Sequence, residues 1–125
     1  MILGLGTDIV EVARIQSAHT KWGADFLQRI LRTEEIAYCL SHRAPAPHIA
    51  ARFAAKEAVS KAFGTGIGVE LGWHDLEVVR EVSGRPLIIL HGNGIKLLAA
   101  CGAKKILISL SHTEYYATAT AMLEG

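Results

Sequence analysis

Cysteine is scarce in this chain: of 125 residues only Cys39 and Cys101 are cysteines, and they stand in no C-x-x-C or other metal-ligand spacing. A disulfide scaffold and a thiolate zinc site are therefore excluded, and both thiols are expected as small apolar groups inside the core. Charge of one sign is lacking too. The formal net charge is +1, so nothing in the balance calls for nucleic acid or an anionic membrane, and any basic partner-binding face has to be local. Long hydrophobic runs are absent, since no apolar stretch approaches the roughly 18 residues that span a bilayer. The opening MILGLGTDIVEV has no basic segment and is interrupted by Asp8 and Glu11, unlike a secretory signal. The cytoplasm is the expected address.

What is present is half apolar, and a chain of this length buries roughly two thirds of its unfolded surface, enough for one domain over 1–125. Ile2 to Ile9 is short, apolar and glycine-spaced, the pattern of a buried strand that delivers Asp8 into the following turn. Val12, Ile15 and Ala18 repeat at helical spacing. Thr33, Glu34 and Glu35 resemble a helix start with acids in the first turn. After Ala44-Pro45-Ala46-Pro47, His48 to Phe63 is predicted as the longest helix, closed by Gly64 in a C-terminal cap. The second half is β-rich: Leu76 to Val82 and Leu87 to Leu90 flank the hairpin signal Ser83-Gly84-Arg85-Pro86, with a short helix over Asn93 to Ala100. Lys105 to Ser111 alternates, with Ile106, Ile108 and Leu110 on one face, and Ala117 to Leu123 can return antiparallel. The expected class is α+β, a mainly antiparallel sheet of three to five strands packed against one long helix.

Within the long helix, Arg52, Lys56, Glu57, Ser60 and Lys61 stand out among alanines. Glu57 and Lys61 are four apart and share a face, and a solvated ion pair worth about 0.2 to 0.5 kcal/mol would account for them equally well. Gly64-Thr65-Gly66-Ile67-Gly68 could turn backbone N–H groups toward phosphates, but it follows a helix and matches neither common nucleotide-binding glycine pattern. A capped loop explains it as well. Asp8, in an apolar segment, needs a hydrogen-bond or metal partner, unless it caps the helix beginning near Val10. Ser109, Ser111 and His112 have no acid placed to complete a nucleophile triad.

Taken in order, GTDIVEVARI, RFAAKEAVSKAFGTGIG and ISLSHTEYYATATAMLE resemble holo-acyl-carrier-protein synthase, the small bacterial type of phosphopantetheinyl transferase, over essentially the whole chain. The resemblance implies transfer of 4'-phosphopantetheine from coenzyme A to a serine of an apo-acyl carrier protein, with release of adenosine 3',5'-bisphosphate, in fatty acid biosynthesis. It implies Mg2+ held by Asp8 and Glu57, and Lys61 on the coenzyme A phosphates. Arg52 and His112 are implied near the nucleotide's 3'-phosphate, with Thr113 and the loop containing Gly64 and Gly66 lining the same cleft. Asp8, Glu57 and Lys61 would be the catalytic residues, with the general base open between the two acids. Arg52, Lys56, Lys61 and His112 would together make the cleft cationic.

The resemblance also implies that an acidic carrier protein docks on a basic first helix, whose matching charges here are Arg14, Lys21, Arg29 and Arg32, with Glu11 and Asp25 interspersed. Larger relatives of that family fuse two similar halves around the cleft, so the resemblance implies a homotrimer with sites between subunits. Magnesium suits the chemistry because it takes few carboxylates and shares its shell with phosphate oxygens, whose charge would otherwise repel an attacking serine. A hot-dog-fold acyl-CoA thioesterase and a non-catalytic nucleotide-binding module are the competing readings. Neither accounts for three motifs in order.

Overall fold

Gly4 and Gly6 decide how the two largest elements meet. In the computed structural model, which describes residues 1–125, strand β1 (Ile2–Glu11) pairs antiparallel with β5 (Tyr116–Glu124), and β5 pairs antiparallel with β4 (Lys105–His112). The long helix α4 (Ala46–Phe63) lies across this three-stranded sheet. A Cβ at Gly4 would run into the Ala62 carbonyl oxygen and one at Gly6 into that of Ala58, so only glycine allows the helix to settle this close. The rest of the floor is equally small: Ala117, Ala119 and Ala121 on β5 are buried beneath Ala50, Ala51, Ala54, Ala55 and Ala58 of α4.

Alternation along β1 then sorts its residues. Gly4, Gly6, Asp8 and Val10 fall on the helix side, and Leu3, Leu5, Thr7 and Ile9 on the other. That other face is uncovered, with Leu5 66% and Ile9 64% exposed. The strand expected to be buried therefore has only one packed side. On β4, Ile106, Ile108 and Leu110 pack toward the core as their alternation predicts, and the same periodicity puts His112 on the helix side.

Helices α1 (Val12–Trp22) and α2 (Ala24–Ile30) are separated by Gly23, whose φ of 57° an L side chain rarely adopts. The helix α3 (Thr33–Leu40) starts as predicted, its Glu35 side chain accepting from the Arg32 backbone N–H at 2.8 Å. Helix α4 begins two residues earlier than its sequence signal, because Pro47 fits in a first turn whose N–H groups have no helical acceptor. It ends at Gly64 in the left-handed conformation.

A 3-10 turn (Trp73–Asp75) leads into the hairpin of β2 (Leu76–Arg80) and β3 (Pro86–Leu90), followed by α5 (Asn93–Ala100). The five strands thus form two antiparallel sheets, of three and two strands, where a single sheet was expected. Cys39 is buried, and burial pushes its thiol up to about 11. Cys101 is exposed, contrary to expectation, because it caps α5 at the surface. No helix is long and apolar enough to cross a membrane.

Candidate active site

The close seating of α4 on β1 brings a short side chain within reach of the helix. Asp8 Oδ1 accepts from Lys61 Nζ at 2.9 Å, and the same ammonium donates to the Thr7 carbonyl at 3.0 Å. Asp8 is therefore neither a helix cap nor a turn residue: it lies inside β1, and α1 begins after Glu11 without a side-chain cap. Glu57 completes the group from one turn before Lys61. Burial, and then the Asp8 carboxylate, push the Glu57 carboxyl up, against the pull of Lys61. A carboxyl pushed up by burial and by a second carboxylate, with a half-exposed cation beside the pair, suits a hard divalent ion that needs few acidic ligands.

A second cluster forms at the other end of α4. Arg52 is 2% exposed, its guanidinium carbon 4.0 Å from the centre of the Tyr38 ring, and its Nε and Nη1 have no hydrogen-bond acceptor. Each orphaned donor costs about 1 to 3 kcal/mol, so this arginine is held ready for an acceptor from outside the chain. His112 comes in from β4, its ring 5.3 Å from that of His48. Arg52 and Glu57, five residues apart, differ by roughly 140° around the helix. Within one chain the two clusters thus face different ways.

A family model described as the 4'-phosphopantetheinyl transferase superfamily matches residues 4–121. The chain belongs to that superfamily. It is 48% identical over 124 residues to a holo-[acyl-carrier-protein] synthase of Koribacter versatilis, covering 99% of both chains. Its fold matches the crystal structure of the Neisseria meningitidis synthase with a TM-score of 0.92, at 34% identity and full coverage of both. The Helicobacter pylori synthase, in complex with coenzyme A, matches at 0.86 and 32% identity, covering 96% of this chain and 99% of that one. The chain is accordingly an enzyme, a phosphopantetheinyl transferase of the holo-acyl-carrier-protein synthase type, and the thioesterase and non-catalytic readings fall away.

Within this transferase several sequence-predicted residues take unexpected positions. Lys56, expected among the cations of the cleft, is fully buried roughly 100° around α4 from Glu57, where it pairs with Glu35 at 2.7 Å. The glycine loop offers few free donors: Gly64 N–H donates to Lys61 O, those of Thr65 and Gly66 to Ser60 O, and that of Gly68 to Leu71 O. Gly64 and Gly66 can line a cleft but not cradle a phosphate. Thr113 Oγ1 accepts from the backbone N–H groups of Tyr115 and Tyr116 and so shapes the β4–β5 turn.

Arg14 and Lys21, seven apart on α1, share an exposed face, and Arg29 is exposed on α2. Arg32 stands apart from them, donating to the His74 carbonyl at 2.8 Å. Sequence reasoning missed Tyr38, His42, His48 and Arg80 around Arg52. Each is aromatic or basic, and they are scattered over α3, the turn after it, α4 and β2.

Proposed function

We propose that this transferase moves 4'-phosphopantetheine from coenzyme A to a serine hydroxyl of an apo-acyl carrier protein, with magnesium held by Asp8 and Glu57. The observation that carries the reading is the convergence of Asp8, Glu57 and Lys61 from β1 and α4. Bound between the acids, the ion would neutralise pyrophosphate oxygens that otherwise repel the serine. Lys61, half exposed, can turn its ammonium from Asp8 to the phosphate and stabilise the charge that collects there as adenosine 3',5'-bisphosphate leaves. Arg52, with two unpaired donors, and His112 offer the nucleotide's 3'-phosphate its partners. The direct test is the mass of an apo-carrier protein after incubation with the enzyme and coenzyme A. The carrier is expected to gain one phosphopantetheine with magnesium and none in excess EDTA, with magnesium restoring transfer. Full turnover under chelation would remove the metal from the reading, and no gain under any condition would remove the reaction.

A complete site needs both clusters, and their divergence around α4 supports a site shared between subunits of a homotrimer. The uncovered apolar face of β1 offers a surface for such packing. Sedimentation is expected to give a trimer, and mixing Asp8→Ala with Arg52→Ala chains to restore activity. An active monomer would refute the shared site.

Arg14, Lys21 and Arg29 offer an acidic carrier protein an exposed rim, which acts on encounter more than on chemistry. Arg14→Glu or Arg29→Glu should raise the carrier KM several-fold and leave the coenzyme A KM unchanged. Rising salt should mimic the substitutions, since exposed charges are screened over about 10 Å at 0.1 M. Equal effects on both substrates in steady-state kinetics would place the docking surface elsewhere.

A further inference from the structure

Four groups able to carry positive charge face His48, and no acid is among them. The His48 ring is stacked on His42, which follows α3, with centroids 3.6 Å apart, and stands edge-on to His112 of β4. Arg52, one turn further along the same helix, and Arg80 of β2 stand over the neighbouring Tyr38 ring, 4.0 and 5.7 Å from its centre. The phenol of Tyr38 lies edge-on to both stacked rings and beneath Arg52. His42 Nδ1 lies 2.9 Å from the Tyr38 carbonyl oxygen, which can only accept, so Nδ1 bears the hydrogen and Nε2 keeps a lone pair free to take a proton.

In this setting His48 is held neutral. Burial first, then His42, His112, Arg52 and Arg80, bring it down to about 4. A phosphate monoester reverses the sign of the surroundings. As a dianion it accepts from the unpaired Nε and Nη1 of Arg52, and its charge offsets the cations that disfavour an imidazolium.

We propose that a phosphate monoester bound at this cluster is taken up together with a proton onto the His42–His48 stack, which makes binding of a 3'-phosphorylated nucleotide tighter as pH falls below neutrality. This rests on the placement of the nucleotide's 3'-phosphate beside Arg52 and His112, and adds to it a proton linkage and two residues. The proton goes to an imidazole nitrogen and comes from solvent, and no bond of the ligand is made or broken. The window has a lower edge. The second ionisation of a phosphate monoester lies near pH 6, so below about 6 the free ligand takes the proton itself and the gain levels off. Above that edge, one linked proton changes affinity by at most about tenfold per pH unit.

The experiment is titration calorimetry of the full chain with adenosine 3',5'-bisphosphate and, separately, adenosine 5'-monophosphate. Each is run at pH 7.5 and 6.5 in two buffers of different ionisation enthalpy. The bisphosphate is expected to bind with net uptake of up to about one proton and roughly three- to tenfold more tightly at the lower pH. The monophosphate is expected to bind more weakly and with little uptake. His48→Phe, which keeps a ring in the stack, should remove most of the uptake and flatten the pH dependence. His42→Gln should reduce both, and it decides the matter if His48→Phe does not fold. Preferential binding of the bisphosphate without proton uptake overturns the linkage and leaves the nucleotide site standing. Full uptake in the folded variants overturns it as well. Failure of both nucleotides to bind at millimolar concentration overturns the parent reading, and the linkage with it.

Discussion

Asp8→Ala and Glu57→Ala each lower the rate of phosphopantetheine transfer by about a hundredfold or more, and the double variant is scarcely slower than either single one. In the proposed reading the two acids share one ion beside Lys61, and groups that act as a unit lose their joint contribution when any member is removed. Loss of one preorganised electrostatic partner in a reacting site typically costs a factor of about 10² to 10³. Neither substitution should harm the fold. Asp8 contributes one partly exposed ion pair, worth at most about 1 kcal/mol, and removing either acid relieves its repulsion with the other. Single-turnover rates with saturating coenzyme A and carrier, beside thermal melts, separate the two effects. Near-normal turnover in either variant, or losses that multiply in the double one, would show that the acids do not share an ion.

Much of this site is legible in the residues because its geometry is local. Glu57 and Lys61 are one helical turn apart, and the glycine spacing of β1 encodes the close approach that lets Asp8 reach them. The long helix, its glycine cap and the β2–β3 hairpin follow from turn and capping chemistry in the same direct way. What sequence conceals is which side of a helix meets which neighbour. Lys56 and Glu57 are adjacent, yet one is sealed in the core and the other stands beside Asp8 and Lys61. Helical periodicity among so many alanines marks no polar face, because an alanine fits against the sheet or toward solvent. The surroundings of Arg52 are hidden for a different reason. Tyr38, His48, Arg80 and His112 come from α3, α4, β2 and β4, and only the packed chain brings them together.

Removing the Lys56 ammonium is the substitution expected to cost most stability. Its three donors are all spent, on Glu35 Oε1 at 2.7 Å, on the Ile30 carbonyl at 2.7 Å and on the Trp73 carbonyl at 3.1 Å. Glu35 in turn accepts from the Arg32 N–H on Oε1 and from the Val78 N–H on Oε2. The pair therefore ties the end of α2, the start of α3, the 3-10 turn and β2 to the middle of α4. Burial pushes the Lys56 ammonium down from its ordinary range, and the Glu35 charge pulls it back. Truncating one partner strands the other, and stranding a buried charge costs about 3 to 5 kcal/mol. For a chain of this length, Lys56→Met should lower Tm by on the order of 10 °C or more. Adding Glu35→Gln should recover part of the loss, since the amide still offers an acceptor to a backbone N–H and no unpaired charge remains. The recovery cannot be full, because a single amide oxygen replaces a carboxylate that serves two backbone donors and an ammonium. Below its transition, Lys56→Met should keep its KM for coenzyme A, because the ammonium faces the core and never meets a phosphate. An unchanged Tm with a raised coenzyme A KM would reverse that assignment and return Lys56 to the cationic cleft that its place in the motif suggests.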